Sequence, residues 1–284
     1  MGGFHALAAQ IRAAAEPGRP VLLAGEGAGE AWLPELDLML TLQVSQERYT
    51  DPGSGWDPIP FFQAVYHAYG VTYGSYSSLV MPPYDELWPA QFAPRQPLEL
   101  LDTRFRRQFY LEQARAFAWG LEPTIANFRA SELADRPEET AYMMRLARIR
   151  ARTLDYLLYG EFLRPPELSV PSVDVDLSRV SIYAARREGP IVSAGRYPAA
   201  IAGAWRAAQG SVAIAVASIV DQPMSVSFAF DPAAYGLSSG GQIEQIDERG
   251  RRPFGEFSSD AVPIVLELPA RGAYVMEFRR GRRR

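Results

Sequence analysis

The hydrophobic periodicity of this chain switches once, at Pro165-Pro166, and that switch divides it into an α/β half and an all-β half. Before the switch, apolar helical faces alternate with short apolar runs. Phe4, Leu7, Ala8, Ile11 and Ala15 share one helical face, stopped by Glu16-Pro17-Gly18. Val21-Leu22-Leu23-Ala24 is wholly apolar, the pattern of a buried parallel strand. A glycine-rich loop, Gly25 to Glu30, precedes a short helix around Trp32–Leu38 and a second run, Leu40–Val44. Ile59–Tyr66 reads as a third strand, with Phe61 and Phe62 assigned to the core. Helices follow over about Leu98–Trp119 and Pro137–Tyr159, with a fourth strand between them at Thr124–Phe128.

Beyond the two prolines, period-two alternation takes over. Val212, Ile214 and Val216, then Val226, Phe228 and Phe230, predict a hairpin turning at Asp221-Gln222-Pro223. Ile264–Leu268 and Ala273–Phe278 predict a second, and flanking strands are expected near Val180–Tyr183 and Gln242–Asp247. Residues 167–284 are therefore expected to form an antiparallel β-sandwich accessory domain.

Alternation of helix and strand in residues 1–166 implies parallel strands with crossover helices. Four strands are half of the eight that a closed (β/α) barrel needs. Half a barrel would leave strand edges and an apolar interior open to water, which is unfavourable. Truncation at the N-terminus, completion by a second chain, or a small open sheet would each resolve the shortfall. Truncation is favoured, because the chain begins almost inside its first helix. The expected fold class is thus α/β, the C-terminal part of a (β/α)8-type barrel over residues 1–166, followed by the sandwich.

Composition removes several chemistries. The net charge of −4 offers no field for a nucleic-acid backbone. Every one of the 29 basic residues is arginine, which reads as coding bias. With no cysteine and only His5 and His67, thiolate and histidine-rich metal sites are excluded, and no cofactor is expected. Gly25-Glu26-Gly27-Ala28-Gly29 lacks the lysine of a phosphate loop, and no Gly-x-Ser-x-Gly elbow occurs. No apolar run approaches the ~20 residues of a membrane span. If Met1 is the authentic start, the missing secretory segment points to the cytoplasm. Oligomeric state is not legible.

Several phrases carry a family resemblance: Leu23-Ala24-Gly25-Glu26-Gly27 with Glu30; Ile59-Pro60-Phe61-Phe62-Gln63-Ala64-Val65-Tyr66-His67 leading to Tyr73-Gly74; Ala118-Trp119-Gly120 with Pro123 to Phe128; and Tyr159 to Pro166. In this order they resemble the C-terminal part of a bacterial glycoside-hydrolase-like barrel family of unassigned function. Gly203-Ala204-Trp205-Arg206 is similar to the start of the sandwich that trails such barrels. The resemblance implies a carbohydrate substrate and carboxylate acid/base chemistry. The upstream barrel half, where a second catalytic carboxylate belongs, has no counterpart in this sequence.

Glycosidic cleavage usually uses two carboxyl groups, one protonated and one acting as nucleophile or base. Glu26, two residues past the first apolar run, stands where a barrel places catalytic groups, and Glu30 follows four residues on. Glu30 equally suits the start of a helix, where negative charge is favoured. His67 and Asn127 each follow an expected strand and are candidates to hydrogen-bond sugar hydroxyls. Nine aromatics crowd the 33 residues from Trp56 to Trp88, against 12% in the chain as a whole, so this stretch is enriched about twofold. Among aromatics, Trp32, Trp56, Tyr66 and Trp88 are candidate platforms for pyranose rings, with core packing as the plain alternative. The rival functional reading is a non-catalytic carbohydrate-binding or scaffold protein with a degenerate barrel. A third is an obligate partner chain completing a split barrel.

Overall fold

A computed structural model describes residues 2–48, 58–74, 77–80, 100–178, 192–237 and 239–281. Its N-terminal part contains α1 (Gly2–Ala13), β1 (Ala24–Glu26), β2 (Leu38–Leu40), α2 (Phe61–Tyr66) and β3 (Val71–Tyr73). The three strands are parallel and in sequence order, with Glu26, Leu40 and Tyr73 on one rung. Isolated parallel bridges, Tyr73 to Glu122 and Ser78 to Ala126, extend the ladder by a fourth segment. That segment stands where the strand over Thr124–Phe128 is expected, but only as bridges.

Several expectations shift. The run Ile59–Tyr66 is not a strand: Pro60 stands at the N-terminus of α2, and the strand falls later, at Val71–Tyr73. A short apolar run has no periodicity to separate helix from strand, and a proline is well tolerated at a helix start. Phe61, assigned to the core, is 63% exposed. The first strand begins at Ala24, leaving Val21 and Leu22 exposed where a buried run was expected. The second ends at Leu40, and Val44 lies in a buried 3-10 segment, Gln43–Arg48. The Val180–Tyr183 strand lies outside the described residues.

Four further helices follow: α3 (Arg106–Ala118), α4 (Glu132–Asp135), α5 (Pro137–Ala151) and α6 (Leu154–Leu157). Then come β4 (Glu161–Leu163), β5 (Ser172–Ser178), β6 (Val192–Pro198), β7 (Ala200–Arg206) and β8 (Val212–Ser218). The chain closes with β9 (Met224–Phe230), β10 (Gly241–Ile246), β11 (Arg251–Phe257), β12 (Val262–Leu268) and β13 (Ala273–Arg280). Six strands form one antiparallel-paired sheet in the order β11-β10-β13-β8-β7-β4, while β9 pairs with β12 and β5 with β6.

Neither expected hairpin forms. β8 pairs with β7 and β13, and β9 pairs with β12, so Asp221-Gln222-Pro223 carries the chain between sheets. The link from β12 to β13 crosses in the same way. The physical reason is burial on both faces of β8. Val212, Ile214 and Val216 pack with Val226, Phe228 and Leu266 of the small sheet. On the other face, Ala213, Ala215 and Ala217 pack with Phe109, Ala114 and Phe117 of α3 and with α5. Alanine in the alternate positions permits that close helix approach. Gly203 shows how close it is: a Cβ there would lie 1.8 Å from the Ala118 carbonyl oxygen. The Trp205 indole, fully buried, donates to that same carbonyl at 3.0 Å and fixes the end of α3 over the sheet. β4, although it precedes Pro165-Pro166, pairs with β7 as an edge strand of the large sheet.

Candidate functional site

Strand alternation sorts the residues of the parallel sheet onto two faces. Gly25, Met39 and Thr72 form one rung, and Met39 and Thr72 are fully buried. The Gln63 amide of α2 donates to the Thr72 hydroxyl at 3.3 Å, and Leu36 covers Gly25 so tightly that a Cβ would meet it at 2.3 Å. This is the helix-covered face. Glu26, Leu40 and Tyr73 point the other way, and that face is only partly covered. Glu26 ends β1 there as an exposed carboxylate.

Glu30 opens a 3-10 turn (Glu30–Trp32) and accepts a hydrogen bond from the Tyr66 hydroxyl at 2.5 Å. The Tyr66 phenol is raised above its ordinary value of 10.0, first because its proton is held by Glu30. Since Tyr66 belongs to α2, the bond ties the turn after β1 to that helix. Trp32 packs edge-to-face on Phe4 of α1, with ring centroids 4.9 Å apart. Trp56 and Trp88 lie outside the described residues. Asn127 follows the last parallel bridge at φ 56°, the left-handed region asparagine enters more readily than most residues.

His67 does not follow a strand, as expected from sequence; it precedes β3 and is therefore at the amino-terminal side of the sheet. It is buried, with its ring tilted against Trp205 at 4.6 Å. Burial first, and then the Arg150 guanidinium, push its pKa from 6.5 down to about 4, so the ring is neutral at pH 7. The Leu158 carbonyl lies near enough to oppose this slightly. The Leu158 backbone carbonyl is the ring's hydrogen-bond partner, though not a well-aligned one.

Sequence reasoning missed two charged arrangements. Glu122 shares the rung of Glu26 and accepts from Arg150 at 2.7 Å. Three strand spacings separate Glu26 and Glu122, roughly 14 Å along the ladder. That is a backbone separation, and what removes Glu122 from a pair with Glu26 is its own ion pair with the buried Arg150. The second arrangement is buried. Arg48 donates to both oxygens of Glu112 at 2.6 and 2.9 Å, and Arg115 to both of Glu47 at 2.8 and 2.9 Å. Burial raises the Glu112 pKa, while Arg48 opposes that shift. Partners some 64 residues apart carry no local sequence signal. Among the described residues, no group of acidic or histidine side chains is arranged to hold a metal, and no helix is long and apolar enough to cross a membrane.

Residues 1–77 match the family described as a domain of unknown function, DUF6259. No curated protein sequence matches the chain. Among solved structures, a noncanonic maltogenic alpha-amylase from Thermotoga neapolitana is similar over 96% of this chain and 58% of its own, with a TM-score of 0.50 and 13% identity. The fold of this chain is similar to that part of the amylase structure. A GH27 β-L-arabinopyranosidase from Geobacillus stearothermophilus aligns at a TM-score of 0.44 and 11% identity, over 98% of this chain and 54% of that one. Alpha-galactosidase I from Mortierella vinacea aligns at 0.40 and 12%, over 98% and 63%. This chain thus spans little more than half the length of these structures.

Proposed function

We propose that residues 1–166 are the C-terminal part of a (β/α)8-type barrel and residues 167–284 its accessory sandwich, in a glycoside-hydrolase-like protein acting on a carbohydrate. The observation that carries this reading is the in-order parallel ladder with one face covered by helices and the other only partly covered among the described residues, with Glu26 on that second face at a strand's carboxyl end. In closed barrels the inner face and the carboxyl ends of the strands build the active site. Further strands completing the ring would cover that second face. They would also shelter the exposed apolar residues Val21 and Leu22. In this reading Glu26 is one carboxylate of the catalytic pair. Its partner is supplied by the completing strands, because Glu30 is engaged with Tyr66 and Glu122 with Arg150. Asn127, also after a parallel segment, is a candidate ligand for a sugar hydroxyl.

A non-catalytic, carbohydrate-binding reading rests on the same geometry, since Glu122, the other carboxylate of that rung, is taken up by Arg150. The test is to express this polypeptide with any βα units encoded in frame upstream, and to screen aryl glycosides. On the catalytic reading, Glu26→Gln lowers hydrolysis by about 10²-fold or more at unchanged folding. Equal hydrolysis by the variant removes Glu26 from the mechanism. Sugar binding without any hydrolysis, in both proteins, selects the non-catalytic reading.

A further inference from the structure

The polarity of α2 and the 3-10 turn after it (His67–Tyr69) is inverted. Gln63 and His67, one turn apart, are the buried residues, whereas Phe61, Ala64, Val65, Ala68 and Tyr69 are exposed. A helix at a water-facing surface turns polar residues outward and apolar ones inward. Here every outward residue is apolar or aromatic. Phe61, Val65 and Tyr69, four residues apart, are 63%, 47% and 71% exposed. Tyr159, just before β4, adds another ring at 71%. Val65 and Tyr159 line one shallow cavity of about 330 Å³ with Glu161 and Arg206, so the face runs on from α2 to the edge of the six-stranded sheet.

The size of this face and its rim narrow the occupant. At ~150–250 Å² for a whole aromatic side chain, the exposed parts of Phe61, Tyr69 and Tyr159 amount to about 400 Å². Val65 and the two alanines bring the face to roughly 550 Å², level with the largest patches of ordinary monomers at ~300–600 Å². Two such faces pressed together bury about 1,100 Å², near the ~1,200 Å² at which specific interfaces begin, before the polar rim is counted. That rim carries one charge of each sign, Arg206 ending β7 and Glu161 opening β4, paired at 2.6 Å and both partly exposed. In a two-fold pairing every contact occurs twice, so one protomer's Arg206 faces its partner's Glu161 and the reverse. No charge then meets a like one. Upstream βα units of the kind proposed above join the ladder at β1. The α2 segment connects β2 to β3 and packs beside β4, so those units leave this face as it is.

We propose that this face is a homodimer interface, in which two copies of the chain pair about a two-fold axis. Phe61, Val65, Tyr69 and Tyr159 form its buried centre, and the Arg206 and Glu161 charges its edge. A second copy matches the face in apolar area and in charge by symmetry alone. At this size the association is weak, with a dissociation constant in the micromolar range. Nothing in it rests on the role of Glu26.

The test is the mass of the folded chain in solution, by sedimentation velocity and light scattering, from about 1 to about 100 μM. It should rise from one chain to two across that range. Val65→Glu sets a charge in the centre of the face and should weaken pairing roughly a hundredfold without lowering the thermal midpoint of the single chain. Tyr69→Glu, at a more exposed ring, should do the same. Charge reversal reads the two-fold geometry. Glu161→Arg and Arg206→Glu should each weaken self-association roughly tenfold, because like charges then meet twice. An equimolar mixture of those two variants should pair at least as tightly as the unaltered chain. The proposal is overturned by dimers indifferent to both Val65→Glu and Tyr69→Glu, or by a mixture that pairs no better than either charge variant alone. A single-chain mass throughout overturns it too and leaves the face to a different protein.

Discussion

His67 makes the sharpest physical prediction, because its environment favours only the uncharged ring. Burial and the nearby Arg150 set its pKa at about 4 in the folded chain, against 6.5 when exposed. Unfolding returns the ring to water. Between those two values the unfolded chain binds a proton that the folded chain refuses, so stability rises with pH across this window. Read downward, the contribution is intact above pH ~6.5, is lost as pH falls towards about 4, and changes no further below it. The full gap corresponds to roughly 3 kcal/mol at ~1.4 kcal/mol per pH unit, of which roughly 2.5 is already lost at pH 4.5. Other carboxylates also titrate there, so the measurement is a comparison. His67→Phe keeps an aromatic ring against Trp205 but removes the proton site. Urea unfolding at pH 7.0 and pH 4.5 should show the wild type losing roughly 2 kcal/mol more than the variant. An NMR titration of the folded wild type should place the His67 midpoint near 4. A midpoint near 6.5, or equal acid sensitivity of the two proteins, would refute the argument from burial.

Two packing predictions follow from the same structure. Arg48→Met leaves Glu112 charged and buried without its bidentate partner, and should cost about 3–5 kcal/mol in chemical denaturation. Adding Glu112→Leu should recover most of that loss; a double variant as unstable as the single one would reject the electrostatic cause. Gly203→Ala should cost at least about 1–3 kcal/mol, since the new methyl meets a backbone carbonyl of α3 and not a flexible side chain. An unchanged thermal midpoint would mean that α3 can retreat from the sheet without loss.

Much of the architecture was legible locally, and the errors share one origin. The strand run read at Ile59–Tyr66 contains the helix α2, because a mostly apolar run of eight residues without a clear period fits either element. Both hairpins failed because a turn signal shows where a chain reverses, not which sheet receives the next strand. A usable clue was present in Ala213, Ala215 and Ala217: small apolar residues where a hairpin with one wet face would carry polar ones. The candidate site divides in the same way. Glu26 was readable as a carboxylate at the end of an apolar run, and it does end a parallel strand. Nothing near Glu30 in the sequence indicated that Tyr66 would hold it, nor that Gln63, Tyr159 and Arg206 would share a cavity wall.

Period and punctuation in the sequence, by themselves, determined the switch from α/β to all-β, the parallel order of the first half and the exclusion of thiol chemistry. These are local properties, dictated by side-chain spacing and by which residue types are present. Only the tertiary structure decided which strands pair, which face of the parallel sheet the helices cover, and why His67 is neutral. Those outcomes depend on contacts between residues tens of positions apart, where burial and desolvation outweigh any local preference.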